Sequence, residues 1–351
     1  MFCGRLISPF CLSLVDHRPL SQHLARLSAS LGLLVLLLSA QDVAVDAWAL
    51  ELIPRGQLSY AGACQTIGMS AGNALGYPAV LALTGGAAGR ALHVTLQALC
   101  GAAAAAHLLA AIASSLVAEE GSQDGASQHA PTLRELWRRL RTLGGTEATR
   151  ALGGVCFWQR VGVISLDASA GVFYMHSVPG ARQEHLAAFA VAQALIGVLA
   201  SLVVARLIAT RQTGTMGAMR IGLWLLLGCG VSTPLVLGGL ASMPPTIACA
   251  ALGLLAAFFA AGNKIWWTAQ AAAFNSAVVH HGSGGMHALH LQLLNSLSNV
   301  GKLWPRPLAF ALFDAVGFRA SSALLAGAGV LAWPSMHRLL TCPALKEIDD
   351  K

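Results

Sequence analysis

Nine times along the chain the sequence runs for about 20 residues or more with almost no charge. A segment of that length can satisfy its backbone in a bilayer only as a helix or as part of a closed barrel. The runs lie at residues 29 to 50, 59 to 83, 92 to 118, 151 to 174, 186 to 206, 218 to 241, 246 to 272, 288 to 313 and 320 to 340. Ala, Gly and Leu dominate them, strict period-two alternation is absent, and most are too long for barrel strands. The expected fold class is therefore all-α, a polytopic membrane protein of about nine transmembrane helices. With 56% hydrophobic and only 11% charged residues, the chain has too little polar side chain to coat a soluble globule.

The basic residues orient the spans. If the first run enters the cytosol at Arg55, the cytosolic segments collect Arg134, Arg138, Arg139, Arg141, Arg150, Arg206, Arg211, Arg220, Arg338, Lys346 and Lys351 as well, against Arg90, Arg182 and Arg319 between spans on the other side. Residues 1–28, an unassigned segment carrying Arg5, Arg18 and Arg26, then face away from the cytosol. Residues 29–118 hold three spans and 119–150 form the only long polar stretch. Within that stretch Leu133, Leu136, Trp137 and Leu140 recur at helical spacing among arginines, as in a helix lying at a membrane surface. Residues 151–341 hold six spans, and 342–351 form a cytosolic tail. The division is three plus six.

Catalytic signatures do not surface. There is no phosphate-binding loop of Walker type and no nucleophile elbow, and the cysteines are scattered. His280, His281, His287 and His290 cluster, but no carboxylate or cysteine accompanies them, so a polar loop entering a helix is preferred to a metal site. No cofactor, metal or nucleic acid is expected, and the chain is not expected to be an enzyme.

The stretch QDVAVDAWALELIPRGQLSYAGACQTIGMSAGNALG is the most informative. Asp42 and Asp46 are one turn apart, and carboxylates at membrane depth must face the bundle interior with partners. With Gln41 and Arg55 they form either a gate, paired when one side of the protein closes, or a permanent network at the helix end. Gly68, Gly72 and Gly76 follow at spacing four, a stripe on which another helix can pack.

Through Gln41, Asp42, Ala44, Val45, Asp46, Trp48, Ala49, Leu50, Arg55, Tyr60, Ala61, Cys64 and those three glycines, the stretch resembles the acetyl-coenzyme A transporter family. LLNSLSNVGKLWP adds Leu293, Leu294, Asn295, Ser298, Asn299, Gly301, Trp304 and Pro305. EHLA at Glu184 to Ala187, and Arg160, Gly162 and Asp167, are similar too. Lys302, Arg306 and the HHGSGG segment depart from the family's pattern. The resemblance implies a major facilitator fold lacking its first three helices, so the chain by itself is not expected to transport. It also implies a multi-pass protein of the endoplasmic reticulum membrane that exchanges cytosolic acetyl-coenzyme A for lumenal coenzyme A, with membrane lipid as its surroundings. The Gln-Asp-x-x-x-Asp element is shared with muropeptide permeases, which keeps a solute permease of that kind as an alternative. A membrane acyltransferase using acetyl-coenzyme A is a further one.

A coenzyme of several phosphates needs cations, an aromatic face and amides around a wet cavity. Gln292, Asn295, Asn299, Lys302 and Arg306 are spaced three and four apart, one stripe of a helix that should face such a cavity. Alternatively, Lys302 and Arg306 lie near the lumenal end and reach for headgroups. Arg160 is the first choice for a phosphate contact; Asp167, seven residues on, is expected to be too far for a direct bridge. Lys264 beside Trp266 and Trp267 supplies a cation next to aromatic surface, though the tryptophans read better as an interfacial belt.

Overall fold

A computed structural model describes residues 60, 62–72, 105, 109, 132–167, 174, 175, 178, 183–281 and 287–350. The chain divides into two compact units, Met1–Ala44 with Ala79–Leu136, and Val45–Pro78 with Trp137–Lys351. Nearly all described residues fall in the second unit. Gln41, Asp42, Asp46, Arg55 and Gly76 lie outside the described residues.

Every regular element among the described residues is helical. In chain order they are α1 (residues 62–72), α2 (Leu133–Gly144), α3 (Glu147–Trp158), a 3-10 turn (Val161–Val163), α4 (Gln183–Ala209), α5 (Thr215–Gly239), α6 (Pro245–His281), α7 (His287–Leu303), α8 (Pro305–Leu340) and α9 (Pro343–Asp350). Among the described residues, four stretches are long and apolar enough to cross a membrane: Ala188–Ala209, Thr215–Gly239, Pro245–Val279 and Leu289–Leu340. Leu195 and Leu199 on α4, Leu254 on α6 and Leu331 on α8 are exposed. On helices this apolar, exposed leucines are the surface that lipid covers.

The last stretch holds two of the expected spans. Pro305 does not end the first of them, because Trp304 keeps helical dihedrals (φ −62, ψ −33) and its N–H still donates to the Val300 carbonyl at 3.0 Å. A proline at the start of a helical segment removes a donor without turning the chain. The helix breaks instead at Gly317, where φ is +79 and ψ is 165, a conformation that a side chain would resist. Gly317 falls between the expected ends at 313 and 320.

Small residues set how closely the helices approach. A Cβ at Gly222 of α5 would stand 2.9 Å from the Cα of Trp266, and one at Gly262 of α6 would stand 2.8 Å from the Cβ of Leu225. The two helices therefore notch into each other twice, with Trp266 fully buried between them. That burial corrects the belt expectation for Trp266, since the notch places its ring in the protein core rather than at an interface.

Helix α1 buries Ala63, Thr66 and Ser70, and Gly62 brings it onto α6, where a Cβ would come within 2.8 Å of the Ala271 Cβ. Gly68 and Gly72 are exposed, and a Cβ on either would meet no described atom within 4 Å. Their expected packing role finds no partner among the described residues because they lie around the helix from the 62/63/66/70 face. Helix α2 has the expected amphipathic pattern, with Arg134, Arg138, Arg141 and Trp137 exposed and Leu143 buried. Of the histidine cluster, His290 is buried on α7 and its Nε2 lies 2.9 Å from the Thr149 Oγ1 of α3.

Candidate functional site

The expected helix over 151–174 is interrupted in the middle. Helix α3 begins at the Thr146 cap, whose hydroxyl accepts from the Thr149 N–H, and it stops at Trp158. The chain then turns through Gln159 and Arg160 into the 3-10 turn before becoming helical again over residues 164–167. A Cβ at Gly162 would stand 3.2 Å from the Cα of Gly329 on α8, and one at Gly230 on α5 would collide with the Gly162 carbonyl. Three glycine backbones thus meet at the break. Irregular backbone at this depth is tolerated where protein encloses it or where it lines a cavity.

Arg160 leaves the break with only 5% of its surface exposed. Its Nη2 donates to the Asn263 Oδ1 on α6 at 2.8 Å, and its guanidinium carbon lies 5.9 Å from the centre of the Phe259 ring. Its Nη1 is 3.9 Å from the Asp167 Oδ2. The expectation that Arg160 and Asp167 cannot bridge is therefore corrected. The backbone keeps helical dihedrals through the 3-10 turn, and the long arginine side chain spans the distance along it to the carboxylate. Arg306, from the start of α8, reaches the same carboxylate oxygen at 3.5 Å.

Lys302 completes this side. Its Nζ donates to the Asn299 Oδ1 at 2.9 Å and sits 3.4 Å from the centre of the Trp267 ring, a close cation–π contact. The cation on Trp267 is thus Lys302, not the sequence neighbour Lys264. Lys264 lays its aliphatic stem over Gly197 of α4, where a Cβ would meet its Cγ at 2.9 Å. Arg160 and Arg306 therefore share one carboxylate, Asp167, and Lys302 lies on the same helical stripe as Arg306.

On α7 and the start of α8 the packed face is Leu291, Leu294, Ser298, Gly301 and Pro305. The polar stripe Gln292, Asn295, Asn299, Lys302 and Arg306 runs one residue beside it, half-buried to exposed. Gly301 presses on the Cys156 backbone of α3, which holds the stripe against the break. Ser298 accepts a hydrogen bond from the buried Gln270 Nε2 at 2.8 Å. Asn295 sits one turn before Asn299, half-buried. Because the helix runs on to Gly317, Lys302 and Arg306 stand well inside the apolar stretch Leu289–Leu340, away from its ends.

Asn263 and Phe259 escaped the sequence reading, although Asn263, Trp267 and Gln270 follow the same spacing of four and three that marked the stripe on α7. Gln159 also escaped it: its side-chain amide is buried at the break, and neither polar atom has a hydrogen-bond partner among the described residues.

The arrangement defines a class first. Several apolar helices of membrane-spanning length among the described residues belong to a multi-pass membrane protein. Comparison with known proteins then adds a local match: residues 12–89 match the family model described as acetyl-coenzyme A transporter 1. That segment carries Gln41 to Gly76, so the resemblance read from those residues is borne out, and it points to a transporter rather than an enzyme. An uncharacterised membrane protein of Saccharomyces cerevisiae is 46% identical over 52 residues, a segment that makes up 15% of this chain and 9% of the relative.

Proposed function

We propose that the chain supplies the substrate-binding lobe of a carrier that moves acetyl-coenzyme A across a membrane from the cytosol to an organelle lumen, in exchange for coenzyme A, by the alternating access of a major facilitator protein. The observation that carries this reading is the buried Arg160 and the neighbouring Arg306 on one carboxylate, Asp167, with Lys302 on the same stripe as Arg306. Two arginines against one carboxylate among the described residues leave net positive charge in an apolar bundle, which a phosphate neutralises. Interrupted helices near the middle of a membrane protein are where transporters of this kind hold charged cargo. In this reading Arg160 and Arg306 contact phosphate, Lys264 and Lys302 add charge, and Asn295 and Asn299 contribute amides.

The break at Gly317 supports six crossings after residue 150, as a complete lobe requires. Three crossings before it would make the other lobe partial, and Gln41, Asp42, Asp46 and Arg55 would gate it or brace it. The endoplasmic reticulum is the membrane that the family resemblance favours. The test is saturable binding of labelled acetyl-coenzyme A by the purified chain in nanodiscs, competed by coenzyme A and accompanied by no acetylated acceptor. Absence of binding, or competition by sugar-peptides instead of coenzyme A, refutes the reading.

A further inference from the structure

A cavity of about 290 Å3 opens between α4, α6 and the segment that follows the 3-10 turn. Its wall includes Asp167, Tyr174, Phe189, Gln193, Leu252 and Phe259. We propose that this cavity takes the amino-bearing purine of an anionic nucleotide or coenzyme, with the phosphates lying on Arg160 and Arg306. The assignment of the phosphates rests on the proposed function; the assignment of the base rests on the cavity itself.

Size comes first. Pockets for whole ligands run from about 300 to 1,000 Å3, so this cavity suits one moiety of a coenzyme rather than the entire molecule. Shape comes next. Three aromatic rings line it, and Tyr174 and Phe189 meet edge to face at 5.9 Å between centroids. The Tyr174 hydroxyl shares a hydrogen bond with the His185 Nδ1 at 2.6 Å, and the ring itself offers apolar surface to the cavity. Flat aromatic groups stack well in such a slot.

Polarity then selects among flat groups. Arg160 and Arg306 both hold Asp167 through Oδ2, which leaves Oδ1 to accept a hydrogen bond. A carboxylate accepts and cannot donate, so it favours an exocyclic amine and repels a carbonyl. Gln193 on the same wall supplies an amide, a donor and an acceptor together, for a ring nitrogen. Position supplies the last constraint. Phe259 lies in the cavity wall and under the Arg160 guanidinium, while Asp167 lies in the wall and against Arg306. A base held between the rings therefore leaves its phosphates at the two arginines.

The test compares ADP with IDP, in which the exocyclic amine becomes a carbonyl and the adjacent ring nitrogen turns from acceptor to donor, so that both the Asp167 and the Gln193 contacts are altered. Binding is measured on the full chain in nanodiscs. The expected result is at least a tenfold preference for ADP. Asp167→Asn, whose amide can donate to a carbonyl, brings the two ligands within about threefold, and Ala256→Phe, which fills the cavity, weakens ADP at least tenfold while pyrophosphate binding persists. Equal binding of ADP and IDP by the unaltered protein overturns the proposal without depending on any variant. So does an Ala256→Phe protein that keeps both its melting temperature and its ADP affinity. The outcomes separate the two readings: a preference for ADP without acetyl-coenzyme A binding sinks the proposed function alone, and acetyl-coenzyme A binding without base preference sinks the cavity assignment alone.

Discussion

Two contacts hold the Arg160 guanidinium, and their geometry predicts unequal losses. The bond to Asn263 is 2.8 Å long, involves a charged donor, and joins a side chain only 5% exposed to a half-buried amide. Such a bond contributes about 1.5–3 kcal/mol. The pair with Asp167 is 3.9 Å long, and Asp167 is shared with Arg306 at 3.5 Å. Coulomb's law at an effective dielectric of about 20 gives that pair a gross attraction of about 4 kcal/mol. The carboxylate is partly solvated and keeps its second arginine when the first is lost, so the net coupling falls below about 1 kcal/mol. Double-mutant cycles measure both: Arg160→Met with Asn263→Leu, and Arg160→Met with Asp167→Asn, each by unfolding in mixed micelles. The expected coupling is about 1.5–3 kcal/mol in the first cycle and under about 1 kcal/mol in the second. Arg160→Met is also expected to weaken acetyl-coenzyme A binding at least tenfold, and Asn263→Leu by less, since the cation remains. A larger coupling to Asp167 than to Asn263 would refute the reasoning that bond length and solvation rank the two contacts.

Other perturbations test other parts of the structure. Gly329→Ala presses a Cβ against the Gly162 backbone and should cost about 1–3 kcal/mol by melting or denaturant titration, whereas Gly68→Ala, at an exposed helical site, should be stabilising by about 0.5–1 kcal/mol. Trp267→Leu removes the ring beneath Lys302 and should cost up to about 2 kcal/mol; Lys302→Met in that background should add little further loss of stability. Asn295→Leu and Asn299→Leu should leave the melting temperature nearly unchanged while sharply reducing acetyl-coenzyme A binding, and unchanged binding in both would remove the stripe from the site. Thr149→Val takes away the hydroxyl beside the buried His290 and should cost about 1–3 kcal/mol in the same unfolding assay.

Helices after residue 182 were legible because a bilayer leaves the chain so little choice: long uncharged runs must form hydrogen-bonded helices, and the kink at Gly317 falls in the gap between the runs ending at 313 and beginning at 320. The stripe on α7 was legible for a related reason, since polar residues at spacing three and four in an apolar run can only share a face. Sequence periodicity says which face a residue occupies, but not what stands opposite it. The partners across helices therefore belonged to the tertiary structure: Asn263 beneath Arg160, Trp267 beneath Lys302, Asp167 between two arginines. So did the interruption of the helix at Gln159. Nothing in FWQRVGV breaks a helix locally, and the turn accompanies the close meeting of the Gly162, Gly230 and Gly329 backbones, which are brought together from three distant parts of the chain.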